Sequence, residues 1–360
     1  MNFIEKADIN TGRQFEADMA KFVCLVGMVI VHCFDVLVSF SELTSSVQFV
    51  FGVVLNCIFG AGTFMFCMGL GIAYSGRSTP AQLMRRGIRI FLLGYLLNLA
   101  CALSYLILLR DIGLFVTYLL GPDIMQFAGL ALFLFGLLLR LNVPDGLIGA
   151  IAAAMSVIGT FIHGLDLGNA LLNIFCGLFV GTFDFEWVTG GVFPLFNWFI
   201  FVAAGYLFGK YLLRRCSDKS ALYLHFSPVS AVIVAVYCAV AIPRGLGMMG
   251  SVLRFHHLDA PEAVVCIAGA VFALGVYHAL SRLIGTKARA LIVSVSKTIN
   301  PLYCVQWVTI AWGTSIWVLC GKPAFSDGVI VLIGLAVFVF SALMAQLISR
   351  LMRKKAEKRA

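Results

Sequence analysis

Asp18-Met-Ala-Lys21-Phe-Val-Cys-Leu-Val-Gly-Met-Val-Ile-Val-His32-Cys-Phe-Asp35 is the stretch on which the reading of this chain turns. It is an apolar run that carries four ionisable side chains. A charged group at the centre of a bilayer costs about 2.5–3.5 kcal/mol on insertion scales, so a group kept there reads as functional by default. At about 100° per residue, Asp18, Lys21, His32 and Asp35 fall within an arc of roughly 100° on one helix. Lys21 and His32 lie eleven positions apart, close to three turns, and stack about 16 Å apart along that face. A membrane helix with a polar stripe on one side lines a cavity, a pore or an active site.

The rest of the chain supports a membrane setting. Of its 360 residues 61% are hydrophobic and only 12% charged, and the mean hydropathy is +0.99. A soluble domain carries about 25% charged residues. Apolar runs near 20 residues match a bilayer core of about 30 Å. They are continuous and do not alternate, which excludes a β-barrel. The net charge of +9 implies no nucleic-acid partner. The basic residues cluster between apolar runs and in the tail from Arg353 to Arg359, as the positive-inside bias predicts. The 11 cysteines lie mostly within apolar runs, with no CxxC pair, and read as small packing residues rather than a disulfide frame or metal site. The first 19 residues are polar and mixed in charge, so no cleavable leader is expected.

Spans are expected at 20–40, 47–74, 89–109, 124–141, 145–163, 193–213, 228–242, 262–283, 288–318 and 328–351. A further apolar run, 167–180, is short for a crossing. Charge arbitrates. With the N-terminus inside, the Arg77/Arg85/Arg86 segment is inside and the Glu42 loop outside. If 167–180 crossed, Arg214, Arg215, Lys219, Arg282, Lys287 and Arg289 would all face outward; if it does not, they stay cytoplasmic together with the tail. The expectation is therefore an all-α, polytopic integral membrane helical bundle of about ten transmembrane helices, with both termini cytoplasmic. In this reading 1–19 is a cytoplasmic segment, 20–351 one membrane domain and 352–360 a basic cytoplasmic tail. The outer loop with Arg254, His256 and His257 is the main basic exception.

Five stretches carry a family resemblance. Asp18-x-x-Lys21, ten residues and His32 resembles the first helix of acyltransferase 3 membrane enzymes, with Lys where that family has Arg. Lys keeps the cation but loses the bidentate fork. Four others resemble the wider superfamily that includes the heparan-α-glucosaminide N-acetyltransferase type. They are Phe64 to Ser75 with the basic turn Leu83-Met-Arg85-Arg86-Gly-Ile-Arg89, then Asp123-Ile-Met-Gln126, then Phe193-Pro-Leu-Phe-Asn197-Trp198, and finally Asn300-Pro-Leu-Tyr303-Cys-Val-Gln306-Trp307. Gln306 stands where relatives often have His. The order of the motifs along the chain matches the superfamily.

The resemblance implies an integral membrane acyltransferase. An acyl group, acetyl before others, would pass from cytoplasmic acyl-CoA to a hydroxyl or amine of a sugar, glycan or lipid-linked acceptor. No tightly bound cofactor and no metal are expected, only acyl-CoA as co-substrate. His32 would act as general base or as acyl carrier, with Asp35, one turn on, orienting its ring. Lys21, with Arg85, Arg86 and Arg89 at a span mouth, would hold CoA phosphates. Asp123, Gln126, Asn300, Tyr303, Gln306 and Trp307 would line the acceptor pocket.

Each assignment has a plainer counterpart. His32 could be a proton-relay or packing histidine, the arginines could be lipid-headgroup anchors, and the amides and Asn98 could be interhelical glue. His256-His257 with Asp259 could bind metal, although adjacent loop positions rarely give the geometry. A rival function is a proton-coupled secondary transporter or exporter that uses the same stripe. The expected partners are the lipid bilayer of the cell membrane, acyl-CoA and the acceptor, with homo-oligomerisation left open. No P-loop, HExxH or GxSxG is present, so ATP hydrolysis, zinc proteolysis and hydrolase-elbow chemistry lack support.

Overall fold

The computed structural model describes residues 3–38, 46–76, 78–182, 191–249 and 256–357. Glu42, Arg77, Arg254 and the last three residues of the tail lie outside them. The described chain is helical, with only two isolated bridges, Ile4 to Cys216 and Leu165 to Thr182. Nine helical runs among the described residues are long and apolar enough to cross a membrane. Leu92, Leu96, Leu224, Val232 and Leu343 stay exposed on them, an outer surface suited to lipid rather than water. The protein is an all-α, multi-pass membrane bundle.

Helix α1 (Phe15–Leu37) begins five residues before the apolar run, so Glu16 and Asp18 lie inside it. A single turn, α2 (Ser46–Gln48), leads into a π-wound stretch, Phe49–Ile58. After a break at Phe59-Gly60 comes α3 (Ala61–Tyr74). The Cys24 thiol donates to the freed carbonyls of Phe59 (3.2 Å) and Gly60 (3.6 Å). Together the two pieces make the tenth passage, interrupted halfway.

Helix α4 (Pro80–Ser104) continues in π form to Leu109 and packs antiparallel on α6 (Ile124–Arg140). The two backbones come close: a Cβ on Gly87 would lie 2.5 Å from the Gly129 carbonyl, and one on Gly129 would lie 2.8 Å from that of Gly87. Small residues permit this approach, and in lipid such packing replaces the hydrophobic effect as the adhesive between helices. The sequence expectation left 110–123 between spans. That segment holds α5 (Ile112–Leu120), which folds back against α4 and hands over to α6 through Gly121-Pro122-Asp123.

Helix α7 (Asp145–Ile162) and α9 (Leu195–Leu207, π-wound to Leu213) are antiparallel neighbours. Asp145 meets Tyr206, Lys210 and Tyr211, and Gly159 faces Asn197. The intervening segment therefore leaves and returns at one face. Within it α8 (Ala170–Val180) is a short outer helix. Its ends are tied by Gly164 N–H donating to Gly181 O (2.7 Å) and by the Leu165–Thr182 bridge.

Helix α10 (Lys219–Arg244) starts nine residues before the expected span. Asp218 caps it, accepting from Ser220 N (2.8 Å) and Ala221 N (3.2 Å), and Pro228 becomes an interior residue. It pairs with α11 (Ala260–Leu280). The expected span 288–318 is two helices, α12 (Thr286–Ser296) and α13 (Ile299–Leu319). Pro301 has no N–H to continue the ladder from α12, so the helix breaks at Lys297-Thr298 and restarts at Ile299, with Pro301 in its first turn. Helix α14 (Asp327–Glu357) returns antiparallel along α1, with Gly334 on Ile30 and Phe338 edge-on to Phe22.

Ten passages bring Phe15 and the end of α14 to one face. That face carries Arg85, Arg140, Arg215, Lys219, Arg289 and Lys354. Among the described residues the opposite face holds Arg110, Arg244 and Lys322. At the basic face residues 3–10 lie against the turn between α9 and α10: Glu5 N–H donates to Arg215 O (2.8 Å), Asn10 N–H to Arg214 O (2.8 Å), and Asp8 pairs with Arg214 (2.8 Å).

Candidate active site

The polar stripe of α1 is solved in two halves. At the basic end Glu16 and Asp18 are almost wholly buried. Glu16 takes Lys219 Nζ at 3.0 Å and the Tyr223 hydroxyl at 3.3 Å. Asp18 takes Arg13 through two nitrogens (2.5 and 2.8 Å) and the Ser296 hydroxyl (2.6 Å), with Lys21 Nζ at 3.8 Å. Lys21 is thus a neighbour of Asp18 that keeps part of its surface free.

Toward the other end, α13 runs parallel to α1, so Leu302 reaches Leu25 and Val29, and Ile310 reaches Cys33 and Phe34. Between these layers Gln306 Nε2 lies 3.3 Å from His32 Nδ1, and the Trp307 ring covers the imidazole at 4.2 Å between centroids, tilted 33°. Gln306 is fully buried and its Oε1 has no partner. One residue holds the edge of the histidine and the next holds its face. His32 itself keeps partial exposure.

One turn below Trp307, the Tyr303 hydroxyl donates to Asp123 Oδ2 at 2.8 Å. Asp123 sits at the α5–α6 break and caps α6. Its Oδ1 accepts from Ile124 N (2.7 Å), and Gln126 Oε1 accepts from Asp123 N (3.1 Å), which closes a capping box. The carboxylate thus faces the positive end of a helix dipole at membrane depth. The backbone of the break is satisfied in turn. Asn98 Nδ2 donates to Gly121 O (2.7 Å) and Val192 N–H to Pro122 O (3.4 Å). Irregular backbone at this depth is tolerated only where it is buried in protein or lines a cavity. Gln126 is fully buried, with Nε2 unpartnered, and so is Trp307 Nε1.

Two further residues approach from elements the sequence did not place here. Asp35 makes no hydrogen bond to His32 among the described residues. Its electrostatic neighbour is Tyr118 on α5, whose ring stacks on Tyr105 at 4.4 Å. From the loop before α11, His256 has its carbonyl held by Trp198 Nε1 (2.7 Å) and its ring 5.6 Å from Phe193. Burial pushes the His256 imidazole down to about 3, and the neighbouring histidines His257 and His32 push it the same way. His256 is thus turned into the bundle against Trp198 and Phe193, within electrostatic reach of His32, rather than out in a solvated loop. His257 is buried against Gly191 O (3.0 Å), and His163 approaches Asp259 at 3.7 Å. Among the described residues no three His, Cys, Asp or Glu side chains are placed to hold a metal ion.

His32, Gln306, Trp307, Tyr303, Asp123 and Gln126 are thus brought together in one place. The remaining sequence candidates are not. Arg85, Arg86 and Arg89 are exposed on α4, which packs on α6, α5 and α13 rather than beside Lys21. Asn300 is exposed at the start of α13, away from the stripe its neighbours form.

A bundle of ten passages with a histidine held at membrane depth, beside a broken helix and a buried carboxylate, defines a class of multi-pass membrane proteins that handle polar groups inside the bilayer. Residues 13–239 match the model of the heparan-alpha-glucosaminide N-acetyltransferase catalytic region, well over half of the chain, and the protein belongs to that family. It is a membrane protein of the acetyltransferase type. The match takes in His32, the basic turn of α4 and the Asp123 break; Tyr303, Gln306 and Trp307 lie beyond it. No curated protein and no solved structure matches the chain.

Proposed function

We propose that the protein transfers an acetyl group from acetyl-CoA, bound at the basic face, to an amine or hydroxyl of a sugar, glycan or lipid-linked acceptor. The observation that carries this reading is the imidazole of His32, fixed by Gln306 and Trp307 about three turns of α1 from the cation Lys21. The basic face is cytoplasmic on the positive-inside bias, in the cell membrane, so donor and acceptor approach from opposite ends of the bundle. Lys21, at about the reach of a pantetheine arm, attracts the CoA phosphates. Arg85, Arg86 and Arg89 offer the incoming nucleotide an attractive field rather than a clamp.

His32 takes the proton from the acceptor as its nitrogen or oxygen attacks the thioester carbonyl. The tetrahedral oxyanion collapses, the C–S bond breaks, and the CoA thiolate leaves and collects the proton. In the two-step variant the imidazole itself carries the acetyl group between donor and acceptor. Asp123, Gln126 and Tyr303 supply hydrogen bonds for the acceptor beside it.

The test is purified protein in nanodiscs with radiolabelled acetyl-CoA and a panel of amino sugars, glycans and lipid-linked saccharides, wild type against His32→Ala. Transfer or CoA release that is lost in the variant is the expected result. Absence of both from the wild type across the panel would sink the proposal.

The two interrupted passages, at Phe59-Gly60 and at 121–123, favour the rival reading. Broken helices at midplane are how secondary transporters build their sites. Proton-coupled flux of a saccharide into sealed vesicles without acetyl-CoA would support it.

A further inference from the structure

We propose that Gln306 is the positioning residue that sets the tautomer of His32, its side-chain oxygen accepting a hydrogen bond from Nδ1–H so that Nε2 is the proton-accepting nitrogen. This rests on the reading of His32 as the base in acetyl transfer, and it names the group on which that role depends.

The argument starts from geometry. Gln306 is fully buried, one end of its amide is 3.3 Å from His32 Nδ1, and the other end has no partner. The two ends of an amide are nearly the same shape, and heavy-atom positions alone do not assign them; chemistry does. With nitrogen toward His32, Nδ1 must be the acceptor, the ring proton sits on Nε2, and the buried Gln306 oxygen is orphaned. With oxygen toward His32, Nδ1–H donates, the Nε2 lone pair is free, and the NH2 group points where the orphaned oxygen stood.

Both arrangements make one hydrogen bond to the ring. They differ in what they leave over. The first leaves a ring whose remaining nitrogen can only donate, and such a ring cannot take a proton from an acetyl acceptor. The second leaves Nε2 with a free lone pair, able to take a proton, and turns the buried orphan end of the amide into a donor. Trp307 lies over the ring face at 4.2 Å and holds the ring plane with its edge toward Gln306. An amide neither gains nor loses a proton across the working pH range, so it holds one tautomer throughout. The other titratable groups around His32 are Asp35 on its own helix, His256 from the loop before α11, and the Asp123–Tyr303 pair beyond Trp307. None of them is hydrogen-bonded to Nδ1 among the described residues.

The test reads the tautomer directly. Protein labelled with nitrogen-15 in histidine is reconstituted in nanodiscs, and the His32 signals are assigned by their loss in His32→Asn. The expected spectrum has the proton on Nδ1 and a bare Nε2. Gln306→Glu keeps that tautomer, because a carboxyl oxygen accepts from Nδ1–H as the amide oxygen does. Gln306→Leu gives a mixture of tautomers and lowers kcat about 10- to 100-fold with KM for acetyl-CoA unchanged. A packing role would leave the tautomer where it was. A wild-type spectrum with the proton on Nε2, or a Leu variant with the wild-type tautomer, overturns the inference. If no acetyl transfer is found at all, the kinetic arms fall with the proposed activity, and the spectra still decide the role of Gln306.

Discussion

Replacing Gly87 with alanine tests whether the α4–α6 seam is a backbone-to-backbone contact that holds the site. The new Cβ would lie 2.5 Å from the Gly129 carbonyl oxygen and 2.7 Å from the Phe133 amide nitrogen. Ordinary contact begins near 3.4 Å, and both obstacles are backbone, so no side chain can swing aside. The helices must part by about 0.9 Å at this level. A gap of 0.5–1 Å forfeits a quarter to a half of the dispersion attraction across it. For a patch the size of one buried leucine, at the middle of the usual ranges (~50 atom pairs at ~0.15 kcal/mol each), that is about 2–4 kcal/mol. Alanine returns about 1 kcal/mol through its higher helix propensity. The net cost is about 1–3 kcal/mol, within the usual range for overpacking. The displaced helix also carries Asp123, one and a half turns away, so the Tyr303 hydrogen bond stretches with it. Gly71→Ala, on the open side of α3 with nothing within 4 Å, is the control and gains the propensity alone. The assay is SDS titration in mixed micelles followed by tryptophan fluorescence. Equal midpoints for Gly87→Ala and Gly71→Ala would refute the close-packed seam.

Three further outcomes are expected. Tyr303→Phe removes the donor to Asp123 Oδ2 and destabilises the protein by about 1–3 kcal/mol, and a double-mutant cycle with Asp123→Asn gives a coupling of about 1 kcal/mol or more; additivity would mean that the 2.8 Å contact carries nothing. Lys219→Met strands buried Glu16 without its cation and costs about 3 kcal/mol by denaturant titration, most of which Glu16→Gln in the same protein recovers; no recovery would place the loss elsewhere. His256 is neutral in the folded protein down to about 3, against an ordinary value of 6.5, so between those values the unfolded chain binds more protons. Stability therefore falls as pH drops through that window, and thermal melts of His256→Gln from pH 7 to 4.5 have a shallower slope than wild type. Parallel slopes would show that His256 is not held out of water.

The sequence was most legible where one physical cause dominated. Apolar run length and the sidedness of Lys and Arg were enough to expect ten passages, and to keep 167–180 from being an eleventh. They failed where capping and backbone chemistry compete with hydropathy. Asp218 starts α10 well before its apolar run, and Pro301 cuts one expected span into α12 and α13. Helix α5 escaped notice because Gly121-Pro122 reads as a loop, whereas here it is a break inside a helical passage. At the site, helical periodicity put Tyr303, Gln306 and Trp307 on one face, and that much needs no tertiary information. Which of them touches His32 is a matter of how α13 lies along α1, and spacing says nothing about that. Sequence distance likewise does not say that Arg89 sits on a helix packed against α6, α5 and α13, and one-turn spacing on α1 does not say whether Asp35 meets the His32 ring. His256 reads from sequence as an outer-loop residue; the hydrogen bond from Trp198 Nε1 to its carbonyl, which holds it against the bundle, leaves no local signature.

The first helix of this protein cannot be finished when it is made. Lys219, which neutralises Glu16, comes 203 positions later. Ser296, on Asp18, comes 278 positions later, and Gln306, on His32, 274 positions later. During synthesis α1 must therefore wait at the membrane with Glu16 and His32 unsatisfied and Asp18 hydrogen-bonded by Arg13 alone, while most of the bundle is threaded around it. The last two passages, α13 and α14, then close over it from one side. Chains that stop short of them leave the His32 face of α1 uncovered in lipid, without the amide of Gln306 and the ring of Trp307.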